Sequence, residues 1–146
     1  MILSQPNDIA LLIAVIGSHG SRVKGRTRLQ KEVCILKHQD KIPFAFGFKS
    51  YYYGPYSSQL ADVVDTLVAT GLVRQSVKDL HLDMSRYDYE LTEKGKHLLG
   101  SIEEQFQKSN PKLLSELVNS VRKLEEMTLS EVVSAAKQCS GLESSD

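Results

Sequence analysis

Two strand-like segments in the middle of the chain constrain its fold more than any other feature. Residues 72–77 are rich in strand-forming side chains, and further on Tyr87, Tyr89 and Leu91 alternate with acidic residues. The charged tip KDLHLDMSR, residues 78–86, lies between the two segments, so the pattern predicts a β-hairpin with an exposed loop. Because a hairpin alone is marginally stable in water, helices must cover one of its faces.

Helical periodicity is found in three segments before the hairpin. The first begins near Pro6 and ends at Gly17–Gly20, and the third begins with Ser57 or Ser58 as N-cap and ends at Gly71. The apolar residues that repeat at helical spacing are Ile9, Leu12, Ile13 and Ile16 in the first segment and Leu60, Val63, Val64 and Leu67 in the third. Each segment therefore predicts a helix with one buried stripe.

The second helical segment carries most of the positive charge of the N-terminal half. Thr27 stands three residues before Gln30, which predicts a capping box and a helix that starts there. Its predicted buried stripe is Leu29, Val33 and Leu36. At 100° per residue that stripe leaves Arg28, Lys31 and Ile35 together on the opposite side, which we expect to face solvent.

Three more helices are predicted after the hairpin. Their caps are Thr92, Asn110 followed by Pro111, and Thr128 with Glu131 in a capping box. The last two carry apolar stripes that must either fold back on the preceding unit or be buried in a second subunit. One stripe is Leu114, Leu117, Val118 and Val121, and the other is Leu129, Val132, Val133 and Ala136.

The order helix, helix, helix, strand, wing, strand, helix is typical of a winged helix-turn-helix protein. We therefore expect a mainly α fold with a small β-hairpin (α+β), built as a winged helix-turn-helix with additional C-terminal helices. A winged-helix domain is expected over residues 1–109. A helical extension that serves packing or dimerisation is expected over residues 110–139, and a disordered tail over 140–146.

The segments GRTRLQKEVCIL, YYYGPYSSQLADVVDTLVATGLV and YDYELTEKGKHLL resemble the YwgA-like winged-helix family of bacteria and archaea. They extend over roughly residues 24–99. The combination of YGPYS with ELTEKGK is the specific part, whereas LTEKGK alone also occurs in winged-helix regulators of the MarR and PadR groups. The resemblance implies the fold, which serves DNA binding, RNA binding and protein contacts alike.

Composition excludes several classes of function. The 146 residues carry a formal net charge of zero, with seven basic against two acidic residues at 20–41 and five against eight at 101–146. No segment has the length or pattern of a membrane span or a signal peptide, so we expect a cytoplasmic protein. Cys34 and Cys139 form no zinc or disulfide pattern, and no catalytic motif is present. We expect no metal, no cofactor and no enzymatic activity.

The first functional interpretation is a dimeric transcriptional regulator that binds double-stranded DNA. In the docking geometry of helix-turn-helix proteins, the third helix enters the major groove, where Ser57, Ser58 and Gln59 would reach bases. The residues predicted to contact phosphates are Arg22, Lys24, Arg26, Arg28, Lys31, Lys78 and Arg86. Asp62 and Asp65 oppose this interpretation because they place negative charge on the helix face that would meet the duplex.

The alternative is a protein-interaction module, antitoxin-like or adaptor, that keeps the fold without binding DNA. The stretch FKSYYYGPYSSQL groups four tyrosines around a Gly-Pro turn. Because residues of extended chain alternate faces, some of these rings must cover the core while others remain free for a partner. The candidate partner contacts are Tyr53, Tyr56, Asp62 and Asp65. A distant likeness to SocA-type antitoxin domains around the GPY turn agrees with this alternative.

Overall fold

The computed structural model describes residues 4–20, 22–52 and 54–141. Its elements are α1 (Ser4–Ser18), β1 (Val23–Lys24), α2 (Arg26–His38), α3 (Ser58–Ala69), β2 (Val73–Asp79), β3 (Ser85–Leu91), α4 (Glu93–Ser109), α5 (Pro111–Glu125) and α6 (Leu129–Ser140). The predicted mainly α class with a small antiparallel sheet is confirmed. Within this part of the chain, no helix is long and apolar enough to cross a lipid bilayer.

The sheet has three antiparallel strands in the order β1-β3-β2. Strands β2 and β3 form the predicted hairpin, in register from Val73 opposite Leu91 to Asp79 opposite Ser85. The strands pair further toward the tip than predicted, so the loop consists of residues 80–84 instead of 78–86. Strand β1 was not predicted, since two residues are too few to show an alternating pattern.

Most helix caps are those that the sequence predicts. Backbone N–H groups are accepted by the side chains of Ser57, Thr92, Asn110 and Thr128, the last in a complete capping box with Glu131. The predicted capping box at Thr27 is wrong, because α2 already begins at Arg26 and its N-cap is Gly25. Gly25 has a φ of 115°, a conformation that glycine adopts without strain, and it turns β1 directly into α2.

Helices α5 and α6 pack against α1 and α2, and their apolar stripes join the same core. The buried residues that they contribute are Leu114, Leu117, Val121, Leu124, Val132 and Ala136. Leu129 was expected in this stripe but is about half exposed at the first position of α6. Contacts within one chain thus cover both stripes, as in the fold-back alternative, so the stripes do not require the predicted dimer.

Residues 39–57 connect α2 to α3, and the residues of this segment that the structure describes belong to no helix or named strand. Ile42, Phe44 and Phe46 are buried while the residues between them are exposed, so this segment is extended and lies along the core. It ends in a turn whose two arms meet where Lys49 and Tyr56 exchange backbone hydrogen bonds of 2.9 and 2.8 Å. The connector therefore carries the tyrosines to the start of α3.

Candidate interaction groove

Helix α2 lies at the centre of the molecule and is buried on several sides. Residues 29–36 are all buried, including Lys31 and Ile35. The expectation that Arg28, Lys31 and Ile35 form an exposed face is therefore wrong. The reason is that α5 and α6 pack on α2 in addition to the sheet, so that no wide face of this helix remains for solvent.

Arg28 lies inside the protein and joins α2 to the turn between α5 and α6. Its guanidinium donates to the backbone carbonyls of Leu124 and Met127 and to Glu32, whose Oε2 is 3.1 Å away. The other oxygen of the fully buried Glu32 is 2.7 Å from Nε2 of His19. Most of the Arg28 side chain is therefore covered, and the part that remains accessible lines a pocket with Arg22 and Lys24.

Other basic residues predicted to contact phosphates are partly neutralised. Arg86 donates two hydrogen bonds, of 2.7 and 3.0 Å, to the buried carboxylate of Asp88. Arg22 lies 3.9 Å from Glu90. Lys24 and Lys78 are exposed, on β1 and β2. The positive surface is therefore smaller than the sequence predicts, although Lys24, Arg26 and Lys78 remain exposed.

The first turn of α3 is only partly available to a ligand. Ser57 is fully buried as the N-cap, so its predicted contact with bases is excluded in this conformation. Ser58, Gln59, Asp62 and Asp65 are exposed, as expected for the outward face. Gln59 is engaged with the connector, since its Oε1 accepts the N–H of Gly47 at 2.7 Å.

Gln30 fixes the start of α3 on α2. Its buried side-chain amide donates to the carbonyl of Ser57 at 2.9 Å and accepts the N–H of the same residue at 2.8 Å. Both polar groups of the Ser57 backbone are thereby satisfied away from water. This pair of bonds holds the end of the connector and the start of α3 in a fixed position relative to α2.

The tyrosine turn, residues 49–56, presents rings to solvent and keeps its Gly-Pro step buried. Tyr51 is 56% exposed and Tyr52 is 89% exposed, whereas Tyr56 is half-buried and stacks on Tyr51 with ring centres 5.3 Å apart. Tyr53, a predicted partner contact, lies outside the described residues. The expectation that alternate tyrosines cover the core is wrong for Tyr51 and Tyr52, and the aromatic residues of the connector that are buried are Phe44 and Phe46.

Gly54 brings the turn into close contact with two lysines. Its φ of 103° favours glycine, and a Cβ at this position would lie 3.3 Å from Cγ of Lys137 and 3.5 Å from Cε of Lys31. The turn therefore packs on both α2 and α6. Gly54 belongs to the GPY turn on which the sequence resemblance partly rests, so this packing gives a structural reason for the glycine of that motif.

Arg26, at the start of α2, is held by two tyrosines of β3. Its Nε donates to the hydroxyl of Tyr89 at 3.1 Å, and its guanidinium carbon lies 3.8 Å from the ring centre of Tyr87. Burial raises the pKa of Tyr89, so that its hydroxyl remains neutral and able to accept this bond. The contacts orient the guanidinium beside the tyrosine turn.

Two adjoining cavities form a groove along α2. The first, of about 170 Å³, lies between α2 and α3, and Leu60, Ala61, Val64 and Asp65 line its α3 side. The second, of about 260 Å³, lies between α2 and the tyrosine turn and is lined by Arg26, Thr27, Gln30, Lys31, Tyr51 and Tyr56. Both are lined by Arg26, Gln30 and Tyr56. We call this pair of cavities the groove.

The sequence pointed to only part of this groove. Tyr56, Asp65, Arg26 and Lys31 were singled out, but Arg26 and Lys31 were assigned to DNA phosphates. Gln30 was singled out only as part of a capping box, whereas it bonds to the backbone of Ser57. The signal in the sequence that indicates these internal contacts is the run of polar residues in α2, a helix that also carries apolar residues on several sides. Such a helix must satisfy its polar groups inside the protein.

One curated protein is similar to this chain. The uncharacterized protein YwgA of Bacillus subtilis (strain 168) is 33% identical over 90 residues. The aligned region is 62% of this chain and 52% of YwgA, so the chain spans about half the length of the curated relative that it matches. This similarity supports the predicted relationship to YwgA. No protein-family model matches the chain, and no solved structure gives a significant match.

Proposed function

We propose that this chain is a protein-interaction module with a winged-helix architecture, which holds a partner protein at the tyrosine turn and the groove beside it. The succession α1-β1-α2-α3-β2-β3, with the hairpin as the wing, supports the architecture. An adaptor or an antitoxin-like protein, which acts by holding another protein, would have such a surface. No catalytic step is part of the proposal.

The observation that carries the proposal is the exposure of Tyr51 and Tyr52 next to an open groove. Tyrosine offers a large, rigid contact area and a polar hydroxyl, and it is enriched at protein interfaces. The turn that presents the rings is anchored, since Gly54 and Pro55 are buried and Tyr56 pairs with Lys49. A prearranged aromatic surface of this kind loses little conformational entropy on binding.

Charge and polarity make a duplex the weaker choice of partner. The outward face of α3 presents Asp62 and Asp65, which a polyphosphate backbone would repel. The hairpin, which would contact a flanking phosphate as the wing, has an exposed apolar end. The large apolar side chains exposed there are Val77, Leu80, Leu82 and Met84. Such an end suits contact with another protein better than contact with phosphates.

The test of this proposal is partner retention in nuclease-treated host extract. The wild-type chain, a Tyr51→Ser/Tyr52→Ser variant and a Leu129→Ser control are compared as immobilised baits. Leu129 is an exposed apolar residue on α6, outside the tyrosine turn and the groove. We expect one protein to be retained in comparable amount by the wild type and the control and to be lost with the double variant. Retention that is unchanged in the double variant would exclude the tyrosine turn as the binding surface.

A DNA-binding regulator is the second candidate, because Ser58 and Gln59 are exposed at the start of α3 and are not covered by the C-terminal helices. It predicts that random duplex binds at low salt and is released steeply as salt rises. It also predicts that Asp62→Lys/Asp65→Lys sharpens DNA affinity, whereas the first proposal predicts that this variant damages partner binding. Absence of duplex binding even at low salt would leave the first proposal alone.

A further inference from the structure

The cavity between α2 and the tyrosine turn has an unbalanced charge. Two of the residues that line it are cationic, Arg26 and Lys31, and none of its described lining residues is a carboxylate. The rest of the lining consists of hydroxyl, amide and aromatic groups from Thr27, Gln30, Tyr51 and Tyr56. The cavity is thus suited to an anionic group of a ligand.

Lys31 is the most unusual residue of this cavity. It is only 3% exposed, and no hydrogen bond or ion pair to its ammonium is found within the described part of the chain. Burial lowers the pKa of Lys31, and the nearby Lys137 lowers it further. No enclosed side-chain nitrogen or oxygen of the described residues lacks a hydrogen-bond partner, so the Lys31 ammonium is not sealed in the core and instead faces the cavity that it lines, where an anionic group of a ligand would pair with it.

Arg26 provides a second cationic contact point in the lining of this cavity. Its Nε is used by Tyr89 and its plane rests on Tyr87. Its two terminal nitrogens make no hydrogen bond with the described residues and remain available. A guanidinium held in one orientation, with free terminal N–H groups, is suited to a carboxylate bound through two parallel hydrogen bonds.

We propose that this cavity binds the carboxylate of an aspartate or glutamate side chain of a partner protein, between Arg26 and Lys31. This inference rests on the proposed function. An apolar residue next to the acidic one in the partner would occupy the adjoining cavity, against Leu60, Ala61 and Val64. The recognised element is therefore an acidic residue with an apolar neighbour.

A single carboxylate fits these surroundings better than the phosphates of a nucleic acid strand. Asp65 lines the adjoining cavity and Asp62 is exposed on the same helix, so a chain of phosphates would meet negative charge beside the site. An isolated acidic side chain brings one negative charge near Asp65, whereas a strand brings one with every nucleotide. Its apolar neighbour would enter the cavity that the aspartate borders.

The first test is a titration followed by the NMR signals of the Arg26 Nε–H group and the backbone amides of Lys31 and Tyr56. The probes are acetyl-Leu-Glu-Leu-amide, its glutamine counterpart acetyl-Leu-Gln-Leu-amide and oligo(dT), with the peptides in the millimolar range. We expect saturable shifts with the glutamate peptide and at least about tenfold weaker binding of the glutamine peptide, since a charge-assisted hydrogen bond is lost. Equal binding of the two peptides, no shifts, or tighter binding of oligo(dT) at these signals would overturn the proposal.

Two variants test whether the cations are responsible. Lys31→Met and Arg26→Gln should each weaken the glutamate peptide by about tenfold or more. Lys112→Met, which removes an exposed lysine at the start of α5, should leave it unchanged. Normal folding of each variant is verified by its amide spectrum. Unchanged peptide affinity in a folded Lys31→Met variant contradicts the proposal.

The same variants separate this inference from the proposed function. If the partner retained by the wild-type chain is also retained by Lys31→Met and Arg26→Gln but lost with Tyr51→Ser/Tyr52→Ser, the tyrosine turn binds the partner and the carboxylate site is refuted. If Lys31→Met and Arg26→Gln release the partner as well, both are supported. If the tyrosine variant retains the partner while the lysine variant releases it, the proposed use of the tyrosine turn fails and the carboxylate site stands.

Discussion

At the scale of single residues, Gly95 shows how a missing side chain sets the packing of the hairpin against α4. A Cβ at Gly95 would lie 2.1 Å from the carbonyl oxygen of Leu72 and 3.3 Å from Cβ of Leu91. The obstacle is backbone, which cannot rotate away. Gly95→Ala should therefore lower the free energy of unfolding by about 1–3 kcal/mol, the usual cost of overpacking, as measured by urea denaturation.

Gly100 in the same helix is the matched control. A Cβ at this position would meet nothing within 4 Å. Because alanine restricts the unfolded chain more than glycine does, Gly100→Ala should raise the free energy of unfolding by about 0.5–1 kcal/mol. Similar effects of the two substitutions would show that the contact with Leu72 does not control the packing.

Lys31 allows a prediction about stability and pH. In the folded protein, burial lowers the pKa of Lys31 from its ordinary value of 10.5, so the charged form destabilises the fold. Lys31→Met should raise the free energy of unfolding at neutral pH, because it removes a charge that burial disfavours. Between the lowered pKa and the ordinary one, the unfolded state binds more protons than the folded state, so this contribution to stability rises with pH. The advantage of the variant should therefore shrink as pH rises.

Urea unfolding of both proteins at about pH 7 and about pH 10 measures this difference. Comparison with the variant cancels the opposite effect of Tyr89, whose pKa is raised by burial. The pKa of Cys34 is raised by burial and lowered by Lys31, so part of its effect remains in the comparison. Lys112→Met should change stability by less than about 0.5 kcal/mol at either pH, as is usual for exposed positions. If the free energies of unfolding of Lys31→Met and wild type differ by the same amount at both pH values, burial does not lower the pKa of Lys31.

At the scale of elements, local patterns predicted where helices and strands lie but not what covers them. The caps at Ser57, Thr92, Asn110 and Thr128 and the hairpin were predicted because each depends on neighbours in sequence. The exposed face assigned to α2 was wrong because the residues that cover it belong to α5 and α6, about a hundred positions later. The spacing of apolar residues shows that one side of a helix is buried, but it does not show how many other elements pack against that helix.

The groove was predictable to the same limited degree. The tyrosine turn was recognised from composition, and the outward face of α3 from its period. The contacts Arg26–Tyr89 and Gln30–Ser57 join residues 63 and 27 positions apart, and only the packing of α2 against β3 and α3 brings them together. The sequence therefore predicts that Arg26 contacts phosphates, whereas in the structure its Nε bonds to Tyr89 and its guanidinium lies on the ring of Tyr87.

The docking of the α5–α6 turn on α2 depends on Arg28. Its replacement by methionine would leave the fully buried Glu32 without its guanidinium partner and the carbonyls of Leu124 and Met127 without a donor. We expect Arg28→Met to destabilise the protein by about 3–5 kcal/mol, the cost of breaking a buried ion pair on one side. Thermal unfolding measures the loss. Arg74→Met, at an exposed position, is the control. If both substitutions have an equally small effect on stability, Arg28 does not have this role.

At the scale of the whole molecule, the core reaches from α1 through α2 to α6, and the C-terminal helices are part of it. Because their apolar stripes are covered within the chain, these helices do not require a second subunit. We expect light scattering at low micromolar concentration to give the mass of one chain. A mass of two chains would instead indicate self-association through another surface, for which the apolar hairpin end with Leu82 and Met84 is the candidate.

The most direct test of the proposed function is photo-crosslinking in host cells, with a benzophenone amino acid in place of Tyr52 or, as control, of the exposed Gln105 on α4. If the tyrosine turn holds a partner protein, position 52 should give one discrete protein adduct that position 105 does not give. Adducts to nucleic acid from position 52, or the same set of proteins from both positions, would contradict it.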